Sequence, residues 1–178
     1  MIFKVILAIV AVLVGLGGIA LVLGAITPIH HRVAVSIRLR QRAETLFDLA
    51  ADVKAAVSWR DGMTSSVVVD PAPDGAQRFR QTDANGTITY RIEEAQRPNR
   101  FVTRIDDPSL PFGGTWTISF VPSDDTTDVT IVEDGVVRSS VFRFFARYIF
   151  GYYRSAESYL NQLAKHVGEN GAIRRLEN

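Results

Sequence analysis

The sequence predicts an α+β domain, an antiparallel sheet closed by one long terminal helix, set behind a single membrane-spanning helix. Three observations carry that prediction. Residues 5–27 contain no charged side chain, strand-like alternations then follow one another directly rather than alternating with helices, and the last strong pattern, residues 139 to about 167, has helical period. A chain of 178 residues has room for one domain with a sizeable core plus an appendage. The expected division is an anchor over residues 1–28, the domain over 29–168 and a tail over 169–178.

As a helix the uncharged segment would be ~34 Å long, against a hydrocarbon thickness of ~30 Å. A secretory signal is the rival reading, since Lys4 precedes the apolar run. The run is longer than the usual ~7–15 residue signal core, and the exit LGAITPIHHR offers no small-x-small cleavage site. Gly15, Gly17 and Ala20 fit a dinucleotide-binding G-x-G-x-x-A, but no acidic residue follows about twenty positions on and no βαβ alternation appears. Those glycines read instead as helix-packing residues, with Ala11/Gly15 and Ala20/Gly24 at small-xxx-small spacing, which hints at weak self-association. Arg32, Arg38, Arg40 and Arg42 against Lys4 favour a cytoplasmic domain on a single-pass protein of the cell membrane.

The elements follow in order. HRVAVSIRLR alternates cleanly, with Val33, Val35, Ile37 and Leu39 on one face, as a half-buried strand does. QRAETLFDLAADVKAAVSW predicts one or two short helices ending near Trp59, where Arg60-Asp61-Gly62 supplies a stop. TSSVVVD is a strand closed by the breakers of residues 70–75. AQRFRQTD and TITYRIEEA flank Asn85-Gly86, a strong hairpin signal. FVTRIDD, the loop PSLPFGG, TWTISFVP and DVTIVEDGVVR complete a meander of five or six strands. At 100° per residue the terminal helix puts Phe145, Tyr148, Ile149, Tyr152, Ala156, Tyr159, Leu160 and Leu163 on one face and Arg143, Arg147, Arg154 and Lys165 opposite. An interfacial helix would also hide that stripe, but the sheet needs a partner, so packing against the strands is expected from Tyr148 onward. Phe144 and Phe150 fall off the stripe and are expected against lipid or a neighbouring loop.

The order of elements, and the stretches VAVSIRLRQRAETLFDLAADVKAAVSWRDGMTSSVVV, TWTISFVPSDDTTDVTIVEDG and YRSAESYLNQLAKHVGE, resemble the START-like helix-grip superfamily, SRPBCC, and within it the polyketide cyclase/dehydrase-like branch. The resemblance covers about residues 31–168 and implies a curved antiparallel sheet wrapped around the terminal helix with an apolar cavity between them. It further implies binding or transfer of a hydrophobic small molecule or lipid, with a cyclase or dehydrase activity as the enzymatic alternative and a filled, non-catalytic protein-interaction scaffold as the other. Fold alone does not select among these.

The candidate ligand-lining residues are Trp59, Tyr90, Trp116, Phe145, Tyr152 and Tyr159, because tyrosine hydroxyls in an apolar setting supply the few polar groups that a small-molecule site uses. Ordinary core is the plainer reading for each. Leu110 and Phe112 form a candidate entrance loop hinged at Gly113 and Gly114, or a rigid plug of the core. Catalytic signals are weak. Tyr90 and Glu133 are the candidate acid/base groups; Glu133 shares the parity of Val129 and Ile131, although water or an arginine partner at the strand end is the simpler expectation. His30, His31 and His166 have no metal-ligand spacing, there is no cysteine, and neither metal nor cofactor is expected. Beyond Pro28, nineteen basic and nineteen acidic residues balance, so no nucleic-acid footprint is present. The outward arginines Arg38, Arg40, Arg78, Arg80, Arg91 and Arg104 are expected in cross-strand ion pairs, with lipid headgroups as the alternative partner. Asn85-Gly86-Thr87 also matches a glycosylation sequon, though the turn accounts for it.

Overall fold

The computed structural model describes residues 2–177. Helix α1 (Ile2–Ile26) is long and apolar enough to cross a bilayer. It leads into β1 (His30–Leu39), two short helices α2 (Ala43–Ala51) and α3 (Ala56–Trp59), and a meander of six strands: β2 (Ser65–Val69), β3 (Arg78–Asp83), β4 (Gly86–Gln96), β5 (Arg100–Ile105), β6 (Phe112–Ser123) and β7 (Thr126–Val137). Then come α4 (Ser140–Phe144), a π-helical turn (Phe145–Phe150), α5 (Arg154–His166) and a short strand β8 (Arg174–Leu176). The eight strands form one antiparallel sheet in the order β2-β3-β4-β5-β6-β7-β1-β8, the helix-grip arrangement.

Alternation fixes which face is covered. On β1, Val35, Ile37 and Leu39 are fully buried, and their cross-strand partners on β7 include Ile131 and Val129, also fully buried. Phe120 and Ile118 on β6 continue the layer, and Leu46 and Phe47 of α2 and Leu160 and Leu163 of α5 close over it. The opposite face is charged and paired. Arg38 clasps Asp128 with two hydrogen bonds of 2.6 and 2.9 Å, Arg91 reaches Asp74, and Arg104 reaches Glu93 at 2.9 Å. The expectation of cross-strand ion pairs on this face holds for Arg38 and Arg104, while Arg91 reaches a carboxylate in the β2–β3 loop.

Three expectations are corrected. The terminal helix is not continuous, because Gly151 takes φ +76°, a left-handed conformation that ends the helical run, and the preceding turn widens to π spacing. A 100° phase therefore cannot be carried across it. Only the part from Ala156 onward is gripped; Phe145, Tyr148 and Ile149, expected on the buried stripe, are 42%, 51% and 59% exposed. The β3–β4 hairpin turns on Ala84 and Asn85, with Gly86 as the first residue of β4 at φ +129° and the Asp83 carboxylate accepting from the Asn85 N–H. Gly113 and Gly114 belong to β6 rather than to a hinge; at Gly114, φ is +148° and a Cβ would meet the Asp134 carbonyl oxygen at 2.6 Å.

Part of the expected tail joins the domain. β8 pairs with β1, Arg175 donates to Glu157 on α5 at 2.6 and 3.1 Å while lying over the Tyr153 ring, and the Glu169 carboxylate accepts from the Arg40 N–H.

One contact ties α1 to this body. Gly24 sits directly under Ser140, so close that a Cβ would overlap the Ser140 carbonyl. Beside it the buried Arg143 guanidinium donates to the Gly24 carbonyl at 2.7 Å, to the Val137 and Arg138 carbonyls at 3.0 and 2.7 Å, and to Ser140 Oγ at 3.1 Å. Gly24 lies in the last turn of α1, where carbonyls lack intrahelical partners and the helix dipole favours a cation. Replacing Arg143 by Ala strands these acceptors in a buried site, and we expect about 3 kcal/mol of destabilisation in thermal or denaturant unfolding. Arg143→Lys should recover little of it, because an ammonium cannot span the same fork. Gly24→Val should separate α1 from α4 with the strand core intact, read as new proteolysis near residues 27–30.

Candidate functional site

The inner face of the sheet is covered unevenly, and that unevenness defines the site. At its deep end α5 packs down fully. Tyr159 is 6% exposed and meets Trp59 and Trp116 edge-on at ring-centroid distances of 5.2 and 5.7 Å. Arg60 lies 5.1 Å over the Tyr159 ring and donates to Gln81, which in turn donates to Ser66 Oγ. Toward α1 the cover thins because the chain breaks at Gly151. There the inward side chains Tyr90, Ile92, Thr103, Ile105, Trp116 and Glu133 are only half-buried.

The predicted residues therefore divide. Trp59, Trp116 and Tyr159 form one contiguous cluster. Tyr90 lines the same inner face, stacked on Phe79 at 5.1 Å. Tyr152 reaches the face at its other side, stacked on His31 at 3.9 Å and 10°. Phe145 does not join them; it contacts Phe144 and Phe150 on the exposed π-helical turn. Phe112 and Leu110 are half-buried at the rim, Phe112 lying 6.2 Å from Phe142.

Glu133 departs from its simpler expectation. It faces inward and pairs with neither water-exposed arginine nor solvent alone: one carboxylate oxygen accepts from Trp116 Nε1 at 2.8 Å and the other lies 3.1 Å from His31 Nε2. The pairing follows from register, since Glu133 stands opposite both Trp116 and Val33, two residues along β1 from His31. Sequence reasoning passed over His31 as a membrane-adjacent residue. Its signal was parity, for it shares a strand face with Val33 and Val35.

The phenols respond to their surroundings. Burial pushes the Tyr159 hydroxyl up to about 12, with Arg60 pulling weakly the other way. Burial also raises Tyr90, and, less enclosed, Tyr152. These hydroxyls stay protonated at neutral pH, which excludes them as bases there. Among the described residues no group of three or more histidine, cysteine or acidic side chains is arranged to hold a metal ion.

A recess of about 800 Å³ opens where the start of β1, the β5–β6 loop and the end of β7 meet, bordered by His30, Arg32, Arg104, Asp106 and Arg138 and reaching His31, Ile105, Gly114 and Gly135. The charges at its rim are engaged: Arg32 with Asp134, Arg104 with Glu93, and Arg138 with the Leu110 and Phe112 carbonyls.

The raised Tyr159 pKa has a stability consequence. A folded-state value above the unfolded value of about 10 gives stability that is complete below pH 10 and lost as pH rises through 12. We expect about 3 kcal/mol to disappear over that window in denaturant titrations. Tyr159→Phe should flatten the loss while leaving stability at pH 7 within about 1 kcal/mol.

Residues 30–167 match the family model described as polyketide cyclase / dehydrase and lipid transport. Among solved structures, the fold is similar to the Zhui aromatase/cyclase from Streptomyces sp. R1128, at 14% identity and TM-score 0.65 over 78% of this chain and 94% of that one. It is also similar to a START superfamily protein from Mycobacterium smegmatis, at 18% identity and TM-score 0.56 over 77% and 94%. A conserved protein from Geobacillus kaustophilus aligns at 14% identity and TM-score 0.60 over 81% and 99%. At these identities the likeness concerns the fold. No curated protein matches the chain. With the family model spanning β1 through α5, and α1 lying outside it, the chain belongs to the polyketide cyclase / dehydrase and lipid transport family.

Proposed function

We propose that the protein is a single-pass, membrane-anchored domain that binds or transfers an apolar small molecule or lipid between the inner face of its sheet and α5. The observation that carries this reading is the apolar floor of Tyr90, Ile92 and Trp116 on the inner face, packed against the core yet only half-buried. Apolar surface of this kind is costly in water, at roughly 25 cal/mol per Å², and is stabilised by a greasy occupant.

The neighbourhood of α1 supports the same reading. Val141, Phe142, Phe145, Tyr148, Ile149 and Phe150 are 42–59% exposed, and they follow directly on the Ser140–Gly24 contact that fixes α4 to α1. An exposed aromatic segment flanked by Arg147 and Arg154 suits a bilayer interface, where aromatic rings and basic side chains sit at headgroup level. The domain would then rest with its open end against lipid, on the cytoplasmic side by the arginine excess after α1. A second reading, cyclisation or dehydration, draws on the inward Glu133 beside His31, with Tyr90 or Tyr152 as the other polar group.

The test uses the full chain in nanodiscs whose lipids carry a photoactivatable group on the acyl chain. Adducts should map to α1, to residues 142–150 and to the inner-face residues Tyr90 and Trp116. Thr103→Trp, which fills the half-open floor, should remove most inner-face adducts and keep those on α1. Adducts confined to α1 would reject ligand uptake, and none on α1 would reject anchoring.

A further inference from the structure

His31 is the most unusual polar group in the domain. Its side chain is 10% exposed, and its ring lies across Gly135, the residue directly opposite on β7, where any Cβ would collide with it. Tyr152 covers the ring at 3.9 Å. Nε2 is engaged by Glu133, but Nδ1 is buried with no hydrogen-bond partner. A buried polar atom without a partner costs about 1–3 kcal/mol, so its retention calls for an explanation.

The partners determine what Nδ1 is. An indole N–H only donates, so Glu133 accepts from Trp116 through one oxygen. As a carboxylate it accepts through the other oxygen as well, which puts the imidazole proton on Nε2. In the uncharged form of the ring the lone pair is then on Nδ1. Trp116 orients Glu133, Glu133 fixes the tautomer, and the product is an acceptor waiting for a donor. At this level of the inner face β6 and β7 carry only glycines, Gly114 and Gly135, so the sheet adds no side chain between His31 and the Tyr90–Ile105 pair.

We propose that His31 Nδ1 is a ligand-recognition site that accepts a hydrogen bond from the hydroxyl of an otherwise apolar molecule, an alcohol or a phenol, bound in the inner groove. This rests on the groove being a ligand site and specifies which polar end the ligand carries. Ethers and hydrocarbons of the same size fit the apolar part and leave Nδ1 unpaired, and a site built around a hydroxyl discriminates against analogues that lack one.

The experiment compares 1-decanol with decyl methyl ether on the full chain in nanodiscs, by binding titration and by imidazole ¹⁵N NMR, where only His30, His31 and His166 contribute. The wild type should show an unprotonated Nδ1 on His31 whose resonance moves with the alcohol and not with the ether, and should bind the alcohol about tenfold or more tightly. His31→Phe should abolish that preference while still binding the ether. Glu133→Gln should reverse the tautomer, because its amide nitrogen donates to Nε2 once its oxygen accepts from Trp116; Nδ1 then carries the proton, which the oxygen of either probe can accept, and the preference for the alcohol is lost. Equal binding of the two probes by the wild type, or a protonated Nδ1, overturns the proposal while leaving the groove a ligand site. Failure of both probes to bind overturns the groove reading and this proposal with it.

Discussion

A single antiparallel sheet with one apolar face has to be covered, and in this protein the cover is too short for the floor. α5 runs only from Arg154 to His166, and together with α2 it seals Ile118, Phe120, Val129 and Ile131. β6 and β7, at 12 residues each, run about 40 Å, roughly twice the length of the 13-residue helix. Everything distinctive about the domain follows from that mismatch: a dry deep end, a half-buried aromatic end, and a polar trio of His31, Glu133 and Trp116 where the two meet. The packed core and the half-covered aromatic end are thus two parts of one surface, separated by where a helix stops.

The stop is local chemistry. Gly151 can adopt a left-handed backbone without steric penalty, and the π-helical turn before it shifts every subsequent side chain out of the phase set by α4. The aromatic segment consequently serves two environments. Tyr159 is pressed between Trp59 and Trp116, whereas Phe145 and Phe150 stack on each other at the surface. A continuous helix would have committed all of them to one side.

Much of this architecture was legible in the sequence. The strands announced themselves by alternation, since Val35, Ile37 and Leu39 occupy one face whatever lies beyond them, and the unbroken apolar run of α1 needed only counting. The inward positions of Trp116 and Tyr159 were recoverable from the same periodicities. The Gly151 break was not, because a lone glycine in a helical pattern is usually tolerated, and Phe145 was misassigned as a result. β8 is three residues long, with too short a pattern to read. Glu133 and His31 were hidden for a different reason: their relation is a cross-strand one, set by the β1–β7 register, and single-strand parity indicates which face a residue shares but not which neighbour it meets.

The joint between α1 and the sheet has almost no slack. Only Thr27, Pro28 and Ile29 lie between Ile26 and His30; Thr27 bonds back to Leu23, and the Ile29 carbonyl accepts from the Val137 N–H as an extension of the β1–β7 ladder. With Arg143 clamping Gly24, helix and sheet are built as one hydrogen-bonded piece. In a bilayer such a piece acts as a lever: a thinner membrane that tilts the helix tilts the whole domain by the same angle, so the attitude of the open groove would follow bilayer thickness directly.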